Sequence, residues 1–212
     1  VKRLKNEEVI KRVAMEDKDY SVRLTAIDMI SDEDVLFDII KKDKDASVRQ
    51  KAILKLFKKE YLKYAALNDK DYTNRIIAID KIDDEKDLSI IYDLEKDSRV
   101  KFKITEKIKN EYILRDIVIK ELDFGIRYHV ISLIKKDDIL YDIINQVDDV
   151  DLQIKALYGM KDEKTIIDVA SSVNNYRVKY EAILMINNQN ILEQMLQEET
   201  DYYVKSAIIK KI

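Results

Sequence analysis

Apolar and polar positions along this chain recur with a fixed period of 26 residues. Each copy opens on an aspartate or asparagine, beginning with Asp19, Asp45 and Asp71 and continuing to Asp201 without an insertion or deletion. Apolar columns follow at spacings of four, which place them on one face of a helix. One column consists of Ile30, Leu56, Ile82, Ile108, Ile134, Met160, Ile186 and Ile212. We therefore predict a helix, called helix B, over about residues 20–30 of the first copy.

A second amphipathic segment fills the rest of each copy. Its first apolar column begins at Leu36, and another follows three residues later. We call this predicted segment helix A, over about residues 33–42 of the first copy. Asp32 and its counterparts favour an N-cap for helix A, although Lys58 and Lys136 interrupt that column.

These helix pairs predict the fold class. Isolated helices of about ten residues are marginal in water, so each pair must be stabilised by its neighbours. The composition agrees, because the chain has no proline and only two glycines, the residues that tight turns and phosphate loops need. We expect an all-α, right-handed α-solenoid of about 16 short helices, forming one domain over 1–212. Seven full repeats would cover 19–200, with partial repeats over 1–18 and 201–212.

The register of the repeat also reaches both ends of the sequence. Leu4 stands in the column of Ile30, and Ile212 ends the last copy of helix B. Neither end carries a distinct polar cap, so we expect a longer array or end helices that something else covers, with simply imperfect end repeats as the alternative.

The unit Asp-x-x-Val-Arg-x-x-Ala-Ile, at 19–27 and 45–53, resembles the HEAT-like repeats of the phycobilisome-lyase type. It is also similar to the leucine-rich repeat variant, and the resemblance covers essentially the whole chain. The repeat is shorter than the roughly 40–47 residues of ordinary HEAT and armadillo units. The resemblance implies a solenoid whose B helices line the concave side. It leaves the function open, because such folds serve many unrelated tasks.

The position after the valine of this unit is a cation in most copies. A helical wheel places it inside the apolar arc, where a charge needs a partner. We predict that the aspartate column supplies this partner in the same or the adjacent repeat. The predicted ladder consists of Asp19, Arg23, Asp45, Arg49, Asp71, Arg75, Asp97, Lys101, Asp123 and Arg127.

The outward positions of helix B form the candidate binding surface. They carry twice as many cations as anions, whereas the outward positions of helix A are acidic. Lysines dominate the earlier copies and apolar or aromatic residues the later ones, which suits an acidic, partly apolar protein segment. The alternative is an ordinary solvated face. The predicted groove consists of Lys51, Lys55, Ile77, Lys81, Lys103, His129, Leu133, Lys155 and Tyr158.

Aromatic side chains recur just after the N-cap of helix B. They are Tyr20, Tyr72, Phe124, Tyr176 and Tyr202. We interpret them as packing between repeats, with a platform for stacked bases as the alternative.

Candidate catalytic chemistry is sparse. The sequence contains no glycine-rich phosphate loop, Walker motif or H-E-x-x-H motif. It has no cysteine for a disulfide, a thiolate metal site or the iron–sulfur cluster that leucine-rich repeat variants can carry. His129 is the single histidine and lacks companions for a metal site. We expect no catalytic, metal or cofactor site.

A protein-binding scaffold, with another protein as partner, is therefore the expected function. One alternative is a nucleic-acid binder similar to the HEAT-like DNA glycosylases, but a net charge of −3 argues against nucleic acid. Another is a chaperone or enzyme subunit similar to the bilin lyases. No apolar run approaches the roughly 18 residues of a membrane span, and the first residues lack a signal-segment pattern. We expect a cytoplasmic protein without membrane contact.

Overall fold

The computed structural model describes the backbone of residues 2–212 and the side chains of residues 6–212. These residues form sixteen helices and no strand, which confirms the all-α prediction. The chain divides into two compact units, 1–108 and 109–212, and each contains eight helices. A single domain over 1–212 and a right-handed superhelix stay predictions.

The first unit consists of four helix pairs, in which odd-numbered helices are helix A and even-numbered helices are helix B. They are α1 (Lys2–Glu16), α2 (Tyr20–Asp28), α3 (Glu33–Lys42), α4 (Ala46–Leu54), α5 (Lys59–Asn68), α6 (Tyr72–Asp80), α7 (Glu85–Leu94) and α8 (Ser98–Lys107). Each helix A packs on its helix B, and α2, α4, α6 and α8 stack in sequence. This stacked arrangement is the helical repeat that the 26-residue period predicts.

The second unit repeats the arrangement. Its helices are α9 (Glu111–Lys120), α10 (Phe124–Leu133), α11 (Asp137–Gln146), α12 (Val150–Gly159), α13 (Glu163–Ser172), α14 (Tyr176–Met185), α15 (Gln189–Glu198) and α16 (Tyr202–Lys211). Helices α10, α12, α14 and α16 again stack in sequence, each packed on its own helix A.

The first helix differs from the prediction. The repeat register placed the end of an earlier helix B at Leu4, whereas α1 runs without a break from Lys2 to Glu16. Lysine, arginine and glutamate dominate this stretch, and these residues favour a continuous helix. The side chain of Leu4 lies outside the described residues.

The predicted apolar columns form the core of each unit. Leu56 is fully buried in the first unit, as is Ile186 in the second. Asn74 stands in the column of the repeat valines, such as Val48 and Val100. It is nevertheless buried, and its side-chain amide donates a hydrogen bond to the Ala46 carbonyl at 2.9 Å. The first member of the valine column, Val22, is 40% exposed, because the described residues contain no helix B before α2.

The predicted N-caps are present at the helix starts. Oδ1 of Asp45 accepts from the N–H groups of Ser47 and Val48 at 2.9 and 3.2 Å, and the counterparts of Asp45 in the other repeats act similarly. Such caps satisfy N–H groups that have no partner within the helix.

Carboxylates at the start of one helix A bind the turn before the next helix A, both where that helix has a capping side chain and where it has none. Lys58, at the N-cap of α5, provides no side-chain cap. Its N–H group and that of Phe57 both donate to Oε2 of Glu33 at 2.8 Å. Glu111 accepts from the turn before α11, where Lys136 interrupts the cap column, in the same way. These bonds fix the position of each pair on the one before it.

Candidate functional site

Three lysines of helix B cap the preceding helix B in the first unit. Lys55 Nζ donates to the carbonyls of Ile27 and Asp28, the last of α2, at 2.8 Å each. Lys81 and Lys107 act on α4 and α6 in the same way. The last carbonyls of a helix have no intrahelical partner, and the helix dipole favours a cation there. Burial in this position lowers the pKa of Lys81.

Other groove lysines form ion pairs with the preceding helix B. Lys51 Nζ lies 2.7 Å from Oδ2 of Asp28, and Lys103 Nζ lies 3.0 Å from Oδ1 of Asp80. Together with the capping contacts, these ion pairs give each of the five lysines a partner on the preceding helix B. In α4, α6 and α8 the adjacent repeat thus supplies partners for these lysines, and the binding of an acidic segment by this surface stays a prediction. Ile77, also predicted in this groove, is half-buried on α6.

The remaining groove residues lie in the second unit. His129 and Leu133 are half-buried on α10, and α12 carries both Lys155 and Tyr158. Lys155 Nζ lies 4.7 Å from the ring centroid of Tyr128, a cation–π contact. The Tyr158 ring is exposed while its hydroxyl donates to Glu181, and this hydrogen bond raises the pKa of Tyr158 to about 12.

An apolar strip runs along the helix-B face of the second unit. It consists of Leu133, Tyr158, Leu184 and Met185. Two of its members are well exposed, Tyr158 at 56% and Leu184 at 42%. Leu133 and Met185 occupy the column in which the first unit places capping lysines. Lys155 and Lys210, which also lie on this face, form no ion pair within residues 6–212.

No family model matches this sequence, and no curated protein matches it significantly. Across residues 2–212, no helix combines the length and apolar character that crossing a bilayer requires. The described side chains also contain no group of His, Cys, Asp or Glu arranged to hold a metal ion.

The aspartate–arginine ladder has a different partner from the one predicted. Arg23 Nε and Nη2 donate to the two carboxylate oxygens of Asp43 at 2.7 and 2.9 Å. Arg49 makes the same bidentate contact with the carboxylate of Asp69. Each of these carboxylates lies two residues before the N-cap of the next helix B, so every such ion pair joins one helix B to the following helix pair. Arg75 continues the series with Glu95 and Lys179 with Glu199.

The N-cap aspartates are committed to their own helices. Asp19, Asp45, Asp71, Asp97 and Asp123 all accept hydrogen bonds from N–H groups of the first turn. The hydrogen bonds of Arg23 and Arg49 therefore go to the loop carboxylates, and the N-cap aspartates add only a longer-range attraction.

Two members of the predicted ladder have other contacts. Lys101 Nζ lies over the ring of Tyr92 at 4.9 Å. Arg127 Nε donates to the Val118 carbonyl at 2.8 Å, because the position of the loop carboxylate is Val147 in the next repeat.

The pair of Arg75 and Glu95 predicts a dependence of stability on pH. Burial alone would raise the pKa of Glu95, but Arg75 and the N–H groups of Asp97 and Lys96 together lower it below its usual value. A lowered pKa in the folded state stabilises the protein above the unfolded pKa of about 4.3. We expect this contribution to fall as the pH drops through that value and below it. Urea unfolding of the wild type and of Glu95→Gln between pH 3 and pH 6 should show a shallower pH slope in the variant; equal slopes would contradict the assignment.

Proposed function

We propose that this chain is a HEAT-like repeat protein that acts as a cytoplasmic protein-binding scaffold, with the apolar strip of the second unit as its binding surface. The observation that carries the proposal is the replacement of capping lysines by Leu133 and Met185 beside the exposed Tyr158 and Leu184. A folded chain gains nothing from exposing this apolar area to water. A partner that covers it gains the free energy of apolar burial.

The charges around the strip favour an acidic, partly apolar segment of another protein. Lys155 and Lys210 present cations that this chain leaves without an ion pair among its described side chains. Tyrosine is enriched where protein interfaces have their strongest contacts, because its ring is rigid and amphipathic. An extended or helical partner segment could place apolar side chains on the strip and carboxylates beside these lysines.

Substitution of Leu184 tests the proposal. The chain is immobilised, partners are captured from the source cells, and bound proteins are quantified by mass spectrometry. We expect Leu184→Asp to reduce capture of the partner at least about tenfold, because a carboxylate on the strip repels acidic residues and removes an apolar contact. Lys155→Glu should reduce binding of the same partner without abolishing it.

Leu94→Asp is the matched control. Leu94 is an exposed leucine at the end of α7, a helix A, and it lies in the other unit. Both variants should retain wild-type helix content by circular dichroism. Equal capture by Leu184→Asp and Leu94→Asp would refute the strip as the binding surface, and nuclease-sensitive capture of nucleic acid would favour that alternative instead.

A further inference from the structure

A guanidinium group is bound between two repeats of the first unit. The guanidinium of Arg99 lies over the ring of Tyr72, 3.5 Å from its centroid. Arg99 Nε and Nη2 also donate to the two carboxylate oxygens of Asp97 at 2.9 and 2.6 Å. A planar cation held by a ring face and a bidentate carboxylate satisfies both of the contacts that arginine favours.

The same arrangement occurs two repeats earlier without the arginine. Tyr20 corresponds to Tyr72, and the N-cap Asp45 corresponds to Asp97. Ser47 stands where the arginine would be. The Tyr20 ring is 52% exposed. A shallow open cavity at this place, the Tyr20 pocket, is lined by Lys18, Asp19, Tyr20, Arg23, Lys44 and Asp45.

The carboxylate of the pocket keeps a free acceptor. Oδ1 of Asp45 accepts from the N–H groups of Ser47 and Val48. Its Oδ2 accepts no hydrogen bond from residues 6–212. In the occupied site, the corresponding oxygen of Asp97 receives Nη2 of Arg99. The pocket therefore offers an exposed tyrosine and an unused carboxylate oxygen at the repeat positions that bind Arg99 in the occupied site.

The cationic neighbours of the pocket do not prevent binding of a guanidinium. Lys18 and Lys44 correspond by the repeat to Lys70 and Lys96, and Arg23 corresponds to Arg75. The site that binds Arg99 therefore has cations at the same repeat positions, and they do not prevent its binding. Arg23, moreover, is already neutralised by Asp43, as Arg75 is by Glu95.

We propose that the Tyr20 pocket binds the arginine side chain of a partner polypeptide. The guanidinium stacks on the Tyr20 ring and donates to Asp45, as Arg99 does within this chain. Lysine fits less well, because an ammonium is a compact, strongly hydrated charge that cannot stack and bind two oxygens in one plane. The pocket lies on α2 and the turn before α4, so this proposal does not depend on the apolar strip.

The test uses two short blocked peptides, acetyl-Gly-Gly-Arg-Gly-Gly-amide and its lysine counterpart, together with free arginine. Each probe is titrated into the full chain while the ring resonances of Tyr20 are followed by NMR. We expect a saturable shift with the arginine peptide and binding at least about fivefold weaker with the lysine peptide. Tyr20→Ala and Asp45→Asn should each weaken binding of the arginine peptide about fivefold or more. Asparagine at position 45 can still cap α4, so the second variant should keep its helix start.

Two exchanged variants provide internal controls. Ser47→Arg supplies the missing guanidinium from the chain itself and should abolish binding of the peptide at Tyr20. Arg99→Ser should open a second site, seen as a new saturable shift of Tyr72. The absence of a shift at Tyr20 in the wild type, or equal binding by wild type and Ser47→Arg, would overturn the proposal. If free arginine binds more tightly than the arginine peptide, the ligand is a small molecule and the proposal of a polypeptide partner is wrong.

Discussion

Arg49→Ala will lower the free energy of unfolding by about 3–5 kcal/mol, because it leaves a buried carboxylate without its cation. Both oxygens of Asp69 accept from Arg49, at 2.9 Å from Nε and 2.9 Å from Nη2. The Asp69 side chain is 0% exposed, so in the folded wild type its charge is balanced by Arg49 and not by bulk water. Burial acts against the guanidinium too, yet the hydrogen bonds to Asp69 raise the pKa of Arg49. Urea unfolding followed by circular dichroism measures the loss.

Two controls separate the stranded charge from the mere loss of a side chain. The double variant Arg49→Met with Asp69→Leu removes both charges and keeps apolar volume, so it should be more stable than Arg49→Ala alone. Lys51→Ala removes a half-exposed pair with Asp28 and should cost no more than about 1 kcal/mol. If Arg49→Ala costs no more than Lys51→Ala, the buried ladder does not stabilise the stack.

The regular parts of this fold could be predicted because the same pattern of apolar residues and N-caps recurs in each copy of the repeat. A column of apolar residues at one phase of a 26-residue period fixes which helix face is buried. The aspartate before each helix B has one local function, the N-cap, which depends only on residues within the same turn. The period therefore predicted the helices, their starts and most of the core.

The partner of the buried arginines could not be chosen from a helical wheel. Two acidic columns stand two residues apart in the loop, represented by Asp43 and Asp45. The repeat register of the sequence places both acidic columns near the buried arginine of helix B. The choice depends on how the loop of one repeat lies against the next, which the wheel of a single helix does not contain. The missed signal was the shared period of Asp43, Asp69 and Glu95.

The contacts of the groove lysines could not be predicted, for the same reason. A wheel shows that Lys55 and Lys81 point outward from their own helix. It does not show that the C-terminus of the preceding helix B lies within reach of each Nζ. Lys155 has a serine, Ser132, at the position where Asp28 pairs with Lys51. A role of Lys155 and Tyr158 in binding stays a prediction.

Packing in the second unit leads to the other large expected effect, that of Leu140→Ala. Leu140 is fully buried on α11 and belongs to the first apolar column of helix A. Removing its branched end from a packed core should lower the free energy of unfolding by about 2–5 kcal/mol. Chemical unfolding measures this cost. A loss below about 1 kcal/mol would mean that the site is not packed as the structure shows.

Gly159 makes this prediction more specific. It ends α12, and a Cβ added there would lie 3.0 Å from Cδ1 of Leu140, closer than ordinary van der Waals contact. In the wild type, overpacking of about 1–3 kcal/mol should outweigh the gain in helix propensity, so that Gly159→Ala destabilises the protein. In the Leu140→Ala background the added methyl group enters vacated space, and the same substitution should instead stabilise it. The sign of Gly159→Ala should therefore reverse between the two backgrounds, as a double-mutant cycle would show. The same effect in both would mean that Leu140 does not require glycine at this position.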